Sequence, residues 1–247
     1  MVRSSIDKKM KRKKRKGIYI LLLLLCSFSF MVIFKTDLFS IKHIYFEGNH
    51  QLSREELLEQ SRIAFGNNIF REKINRIESN MMQHPYIKTA RAKRVLPDTI
   101  QIQISERIET AAVPFMGEYL IIDDEGIVLK TNPDHQDLKV IQGLEFKNFI
   151  KGQALNAKDN IQFQRALQII KSIDKYQIPV MKIDMTDKDQ VIIQFSDLLK
   201  AELGACANLD YKFLLLKEIL ENLAEQDITR GVIDISHEGY PSYRPVE

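Results

Sequence analysis

The residue types that most often bind metals are few and scattered in this sequence. The chain has five histidines: His43, His50, His84, His135 and His237. No two of them have the spacing that places two ligands on one face of a helix. The two cysteines, Cys26 and Cys206, lie far apart, and the first falls within an apolar run. Two isolated cysteines cannot supply a cysteine-based zinc site, so we expect neither a metal site nor a structural disulfide.

Two groups of charged residues could in principle carry out acid–base chemistry. Residues 123–125 are three consecutive carboxylates beside Gly126, between two short apolar runs. A tight turn between strands explains them more simply. Glu106 and Arg107 end an alternating segment, and an ion pair at a domain junction explains them better than a catalytic dyad. The sequence has no nucleophile elbow and no glycine-rich phosphate loop. We therefore expect no catalytic activity, no cofactor and no small-molecule substrate.

The remaining candidate for function is an interaction surface near the C-terminus. Residues 231–236 read as a strand that could form the edge of a sheet. An exposed edge offers unpaired N–H and C=O groups to a strand of a partner. The following segment is aromatic and contains Arg244, a composition common at interface anchors. The alternative is that Ile233 and Ile235 only fill the core and that Pro241 and Pro245 only prevent self-association.

An uncharged run of 18 residues, 17–34, follows a strongly basic segment. At about 1.5 Å per helical residue this run spans about 27 Å, close to the thickness of the hydrocarbon core of a bilayer. Residues 1–16 hold nine Lys or Arg against one acid, Asp7. Because such a cluster stays in the cytoplasm, the C-terminus is expected outside the membrane. We predict a basic cytoplasmic tail over residues 1–16 and a transmembrane helix over residues 17–35.

Two other interpretations of the apolar run are less favoured. A cleaved signal peptide would have a shorter apolar core and a small-residue cleavage site after it. A lipoprotein cysteine at Cys26 would follow a small residue, but Leu25 precedes it. The basic tail needs no role beyond setting the topology and touching anionic lipid. The residues outside it carry more acids than bases, so we expect no general attraction to nucleic acid.

The elements that must position these residues begin with a β-α-α-β-β pattern of about 70 residues, within the usual size of a domain. Residues 41–47 and 99–106 alternate between apolar and polar side chains, as half-buried strands do. Ser53 and Glu56 form a capping box that opens a helix to about residue 61. A second helix ends before Pro85, and residues 87–95 follow as a strand.

The rest of the chain predicts a larger mixed α/β domain with an antiparallel sheet, which makes the fold class α+β. Short apolar runs predict three strands, at residues 111–115, 119–122 and 127–129. A meander of three more strands is predicted over residues 181–185, 191–195 and 200–203. Amphipathic helices are predicted over about 160–176 and 209–223, followed by the last strand.

An ordered set of motifs runs along the chain: IKHIYFEGN (41–49), GNNIF (66–70), PYIKTA (85–90), RVLPDTI (94–100), SER (105–107), IIDDEG (121–126), LG (203–204) and VIDIS (232–236), together with Lys217. In this ordered set the chain resembles the bacterial cell-division proteins of the FtsQ/DivIB family. The resemblance covers nearly the whole chain. It implies a POTRA domain over residues 39–108 and a β domain over residues 109–247.

The family resemblance implies a scaffold of the division machinery without catalytic activity. Such proteins bind FtsB/DivIC-like and FtsL-like division proteins outside the membrane, together with other divisome components, and help to regulate septal peptidoglycan synthesis. The expected location is the cell membrane, as a single-pass protein enriched at the septum. The alternative is a membrane-anchored, POTRA-bearing assembly or transport factor for another envelope complex.

The resemblance also implies which residues hold the FtsB/DivIC-like partner. They lie in the last strand and in the segment after it: Val232, Ile233, Asp234, Ile235, Tyr240, Tyr243 and Arg244. The preceding helix is expected to add a charged contact, for which Lys212 and Lys217 are the candidates.

Overall fold

A computed structural model describes residues 17–29, 31–32, 37–135, 137–204, 208–237 and 240–246. The chain divides into two units. Unit 1 comprises Met1–Gln83 and Ile87–Glu106, and unit 2 comprises His84–Tyr86 and Arg107–Glu247.

The apolar run near the N-terminus is helical where it is described. Residues 17–29 and 31–32 form helix α1. None of the helices built from described residues is both long and apolar enough to cross a membrane. The predicted transmembrane helix also includes residues 30 and 33–35, which lie outside the described residues, as does the predicted tail over residues 1–16. The membrane-spanning helix therefore stays a prediction.

Unit 1 has the β-α-α-β-β pattern that the sequence predicts. After a short 3₁₀ helix at Asp37–Phe39, its elements are β1 (His43–Glu47), α2 (Arg54–Ser61), α3 (Ile74–Met81), β2 (Ile87–Val95) and β3 (Thr99–Glu106). The sheet order is β1-β3-β2, with β1 parallel and β2 antiparallel to β3. This part of the fold prediction is confirmed.

Local sequence explains both the start of α2 and the core of unit 1. The Ser53 side chain accepts from the N–H of Glu56, while the Glu56 carboxylate accepts from the N–H of Ser53, so the predicted capping box is present. Alternation along β3 places Ile100 and Ile102 in the core and Gln101 on the outer face. The two helices cover the apolar face of the sheet.

Unit 2 is built on one nine-stranded sheet and two long helices. Its strands are β4 (Ala111–Phe115), β5 (Glu118–Ile122), β6 (Val128–Asn132), β7 (Lys139–Gln142), β8 (Lys182–Asp184), β9 (Val191–Gln194), β10 (Leu199–Gly204), β11 (Gly231–Asp234) and β12 (Ser242–Arg244). The helices are α4 (Asn160–Tyr176) and α5 (Leu209–Glu225). The strand order is β12-β11-β10-β9-β8-β7-β4-β5-β6. The predicted meander, β8-β9-β10, and both predicted helices are confirmed.

The prediction of an antiparallel sheet in unit 2 is wrong, because this sheet is mixed. β4 and β7, β7 and β8, and β10 and β11 pair in parallel. A parallel pair needs a long crossover between its strands. Helix α4 supplies that crossover between β7 and β8, and helix α5 supplies it between β10 and β11. Phe163 and Phe213 of these helices lie in one buried cluster with Ile183 and Ile233 of the sheet.

The carboxylates at residues 123–125 form the predicted turn between β5 and β6. Asp123 is fully buried, and its Oδ1 accepts from the N–H groups of Glu125 and Ile127 at 3.0 and 2.8 Å. Its Oδ2 accepts from Arg107, which also donates to Glu125 at 2.7 Å. These side chains therefore hold the turn and the start of unit 2 together.

Glu106 and Arg107 act separately, so the expected ion pair between them is wrong. Glu106 accepts three backbone N–H groups within unit 1, from His50 at 3.1 Å, Gln51 at 2.8 Å and Leu52 at 3.1 Å. Glu106 is reached by these N–H groups because the loop after β1 turns back onto the end of β3. Arg107 instead bonds to Asp123 and Glu125 within unit 2. Glu106 thereby fixes the path from β1 into α2.

We expect the substitution Glu106→Gln to destabilise unit 1 by about 1–2 kcal/mol, because a neutral acceptor bonds more weakly than a carboxylate. The measurement is hydrogen exchange of the buried amides of β1 and β3 in the full chain. Glu59→Gln, an exposed change on α2, is the control and should leave exchange unchanged. Equal exchange in both variants would contradict this role.

Candidate functional site

The C-terminal segment forms one end of the nine-stranded sheet. β11 pairs with β10 in parallel, with Ala201 opposite Ile233. On its other side β11 pairs with β12 in antiparallel register, with Ile233 opposite Tyr243. The expectation that residues 231–236 form the sheet edge is therefore wrong. The edge is β12, three residues long, and within the described part of the chain no strand pairs with its outer side.

Most of the predicted partner-binding residues in β11 and just after it have buried side chains. Ile233 is fully buried, and Ile235 and Val232 are exposed by only 3% and 8%. Ile233 and Ile235 belong to the core of unit 2. For these isoleucines the structure matches the alternative that they fill the core. Any contact that a partner makes at this end must therefore involve β12, the residues that flank it (240–246) or the outer face of β11.

Tyr243 locks β12 onto the sheet. Its ring is half-buried against the core cluster, and its hydroxyl donates to the carbonyl of Arg230 at 2.6 Å. The ring lies directly over Gly231, whose φ is +137°. A Cβ atom at this position would come within 2.5 Å of the ring. Glycine is therefore required for both the backbone conformation and the close approach of Tyr243.

The outer face of these strands is polar and internally paired. Arg244 of β12 donates to the Glu202 carboxylate of β10 at 3.1 Å. Asp234 accepts from the N–H of Ser236 at 2.9 Å and from its hydroxyl at 2.6 Å. These bonds, led by that of the hydroxyl, hold the pKa of Asp234 below its ordinary value. Arg244 and Asp234 thus have partners within the chain before any other protein binds.

The outer edge of β12 presents only one backbone donor. The N–H of Gly231 donates to the carbonyl of Leu198, just before β10, and the N–H of Ile235 donates to that of Glu202 in β10. Alternation therefore turns the backbone of Val232 and Asp234 toward β12. Their register partners on β12 face inward, which leaves the N–H and C=O of Tyr243 facing outward. Pro241 and Pro245 lie two residues before and two residues after Tyr243, so their backbone faces the same side. Proline has no N–H, so neither adds a donor to this edge.

Next to this edge, Tyr240 projects away from the fold. Its side chain is completely exposed. A cavity of about 170 Å³ opens beside β10 and β11, and its lining includes Asp197, Lys200, Arg230 and Val246. Sequence reasoning missed this cavity, because most of its lining comes from turns and strand ends without a periodic pattern.

The two lysines expected to add a charged contact have different environments. Lys212 is buried, and its ammonium group donates to the carbonyls of Leu203 at 2.7 Å and Ser236 at 3.3 Å. It therefore ties α5 to the ends of the strands and is not available to a partner. Lys217 is about half exposed on α5, where it pairs with Glu221 at 3.9 Å.

Among the described residues, no group of three His, Cys, Asp or Glu side chains could hold a metal ion. The arrangement at the sheet end offers instead a short strand edge, an exposed aromatic side chain and a shallow cavity. These are features of a surface that binds a polypeptide.

Comparison with known proteins points to cell division. Residues 39–107 match the family described as POTRA domain, FtsQ-type. The chain is similar to the cell division protein DivIB of Clostridium tetani, with 27% identity over 228 residues, 89% of this chain and 84% of that protein. Its similarity to DivIB of Clostridium botulinum is 27% over 243 residues, 95% of this chain and 93% of that protein. Its similarity to the cell division protein FtsQ of Syntrophotalea carbinolica is 31% over 153 residues, 61% of this chain and 53% of that protein. The family resemblance predicted from the motifs is confirmed.

Replacing Tyr243 by Phe should loosen β12 by about 1 kcal/mol, because the hydrogen bond to Arg230 is lost while the ring remains. Hydrogen exchange at the amides of Val232 and Asp234, which face β12, should become faster. Tyr240→Phe removes a hydroxyl from a fully exposed ring and should change nothing. Unchanged exchange in Tyr243→Phe would show that the hydroxyl does not hold β12.

The lowered pKa of Asp234 gives a pH prediction. Its hydrogen bonds stabilise the fold above the ordinary pKa of aspartate, and this contribution is lost as pH falls through the lowered pKa. Ser236→Ala removes the hydroxyl donor, so the pKa of Asp234 should rise toward its ordinary value. Carbon NMR of the carboxyl group measures this. Ser242→Ala is the control, and a pKa of Asp234 unmoved by Ser236→Ala would refute the assignment.

Proposed function

We propose that this chain, which is similar to the cell division proteins DivIB and FtsQ, is a member of the FtsQ/DivIB family and a scaffold of the division machinery without catalytic activity. It binds FtsB/DivIC-like and FtsL-like division proteins, takes part in an assembly with other divisome components and helps to regulate septal peptidoglycan synthesis. The names of all three relatives favour this function over an assembly or transport factor for another envelope complex.

The proposed location is the cell membrane at the division septum. The uncharged run over residues 17–34 and the basic cluster before it support a single anchor with a cytoplasmic N-terminus. The proposed organisation is a tail over residues 1–16, an anchor over 17–35, a POTRA domain over 39–108 and a β domain over 109–247. Both folded domains lie outside the membrane, where they meet the partners.

The observation that carries the partner-binding proposal is the edge of β12. Strand addition needs outward N–H and C=O groups on an uncovered edge strand. Tyr243 supplies one such pair, and the flanking prolines deny a donor on either side. A short segment of the FtsB/DivIC-like partner therefore pairs with Tyr243, while the exposed ring of Tyr240 and the paired charge of Arg244 contact its side chains.

Ile233, the buried isoleucine of β11, contributes to this site indirectly, by holding the strand in place. Ile233 holds β11 in the core, and β11 in turn positions β12. A charge at Ile233 would disrupt unit 2 as well as binding. Substitutions in β12 and in the residues that flank it (240–246) therefore test binding without unfolding unit 2.

The first test separates the backbone of Tyr243 from its side chain. Tyr243→Pro removes the one outward N–H and should abolish co-purification of the full chain with coexpressed FtsB/DivIC-like and FtsL-like partners. Tyr243→Phe keeps that N–H and should retain binding. Because Tyr243→Pro also loses the ring that packs on the core, Tyr243→Ala, which lacks the ring but keeps the N–H, is the matched control and should bind better than Tyr243→Pro. If Tyr243→Pro binds as well as Tyr243→Phe, strand addition at β12 is wrong.

The second test concerns the exposed ring of Tyr240. Truncating an aromatic anchor at an interface commonly weakens binding by on the order of tenfold or more. We expect that loss for Tyr240→Ala, with unit 2 still folded, when affinity for the FtsB/DivIC-like partner is measured. Tyr211→Ala, at an exposed tyrosine on α5, is the matched control and should bind normally. Equal affinities of the two variants would remove Tyr240 from the interface.

A further inference from the structure

Exposed apolar side chains gather at one end of unit 1. Outside α1, the described residues of this unit include seven large apolar side chains that are exposed. Five of them form a set that we call the entry patch: Leu38, Phe65, Phe70, Val95 and Leu96, with exposed fractions between 39% and 56%. The other two are Tyr45, on β1, and Met82, just after α3. Such a concentration marks an interaction surface rather than scattered surface residues.

Backbone hydrogen bonds bring the first part of the entry patch together. The N–H of Ile41 donates to the carbonyl of Asn67 at 2.8 Å, and the N–H of Gly66 donates to the carbonyl of Ile41 at 2.9 Å. The N–H of Ile69 donates to the carbonyl of Phe39 at 2.8 Å. The segment that leads into β1 therefore lies along the turn that carries Phe65 and Phe70.

The turn between β2 and β3 completes the entry patch. The N–H of Lys42 donates to the carbonyl of Asp98 at 2.9 Å, next to Val95 and Leu96. Arg94 donates to the carbonyls of Ile69 and Glu72 at 2.8 and 2.6 Å. These bonds hold both turns at the same end of the sheet.

This is the end at which the chain enters unit 1. β1 and β3 are parallel and both begin here, with His43 opposite Thr99. β3 leaves the unit at its opposite end, where Glu106 pairs with Ile87. Only residues 33–36 separate the described part of α1 from Asp37. The five Cα–Cα steps from residue 32 to Asp37 span at most about 18 Å when fully extended. If α1 belongs to the proposed anchor, the entry patch must therefore lie close to the bilayer surface.

The charges around the entry patch suit an anionic lipid surface. Lys42, Arg62 and Arg71 are exposed at this end, and Asp37 and Glu59, the latter one helical turn before Arg62, are exposed acids near them. Asp98 is partly covered and lies 4.0 Å from Lys42. Glu72 is buried, and its carboxylate accepts from Asn67 at 2.9 Å and Arg76 at 3.3 Å. Basic residues that surround apolar and aromatic side chains are typical of segments at the headgroup level of a membrane.

We propose that the entry patch of unit 1 binds the outer surface of the lipid bilayer, with Phe65 and Phe70 at the boundary between headgroups and acyl chains. This inference rests on the proposed membrane anchor. It adds a second, non-spanning contact that holds the POTRA domain against the membrane. Unit 1 then cannot turn freely about the residues that connect it to the anchor.

The absence of tryptophan from the sequence allows a clean test. The variants Phe65→Trp and Met82→Trp each carry one tryptophan, at positions with similar exposure of 52% and 54%. Helix α3 begins near Glu72, at the end of unit 1 that carries the entry patch. Met82 directly follows α3 and therefore lies at the opposite end of unit 1, near Ile87. Each full-length variant is reconstituted into vesicles of phosphatidylglycerol and a phosphatidylcholine brominated near the headgroup end of its acyl chains.

Bromine should quench the fluorescence of Phe65→Trp at least about twofold more strongly than that of Met82→Trp, because aromatic side chains at the interface touch the upper acyl chains. Equal, weak quenching of both variants would overturn the entry-patch proposal if the protein still floats with the vesicles. In that case the anchor proposal survives. Protein that does not float with the vesicles would overturn the anchor, and the entry-patch proposal with it.

The basic residues allow a second measurement. Replacing Arg62 and Arg71 by Glu in the Phe65→Trp variant should reduce the quenching of its tryptophan without changing flotation, because the patch loses its attraction to phosphatidylglycerol. The matched control replaces Lys147 and Lys151, two exposed lysines of unit 2, by Glu and should leave quenching unchanged. Quenching that depends equally on both pairs of substitutions would contradict a local lipid contact.

Discussion

The buried ammonium group of Lys212 determines how the C-terminal part of the sheet is built. A buried charge is tolerated only when hydrogen bonds replace its water. Lys212 obtains these bonds from the carbonyls of Leu203, at the end of β10, and Ser236, just beyond β11. It thus joins α5 to the carboxyl ends of two parallel strands. Because β12 pairs only with β11 among the described strands, the position of the proposed partner site depends on this interaction.

The same arrangement explains why the edge can be specific. A long bare edge strand would pair with many chains, whereas natural edges are shortened or interrupted by proline. Here β12 has three residues, and prolines 241 and 245 limit its outward donors to the N–H of Tyr243. A partner must therefore match one register.

Local patterns in the sequence predict much of this fold, and nonlocal pairing accounts for the errors. The capping box at Ser53 and the periodicity of α4 and α5 are local signals, and the structure contains all three. The sequence does not predict β12, because three residues between prolines have no detectable period, and it therefore predicts the edge at β11. The sheet is mixed because α4 and α5 connect parallel strands, and the sequence predicts these helices but not which strands pair on either side of them. The sequence offers both Lys212 and Lys217 for a charged contact, because the burial of Lys212 cannot be read from a helix with charges on several faces.

The most direct test of the account is hydrogen exchange at the amide of Tyr243 in the full chain, with and without the FtsB/DivIC-like partner. In the free protein this amide faces outward from the last described strand, so it should exchange quickly. Bound partner should protect it strongly, since strand addition gives this N–H an acceptor. A complex in which the amide of Tyr243 exchanges as fast as in the free protein would contradict binding at β12.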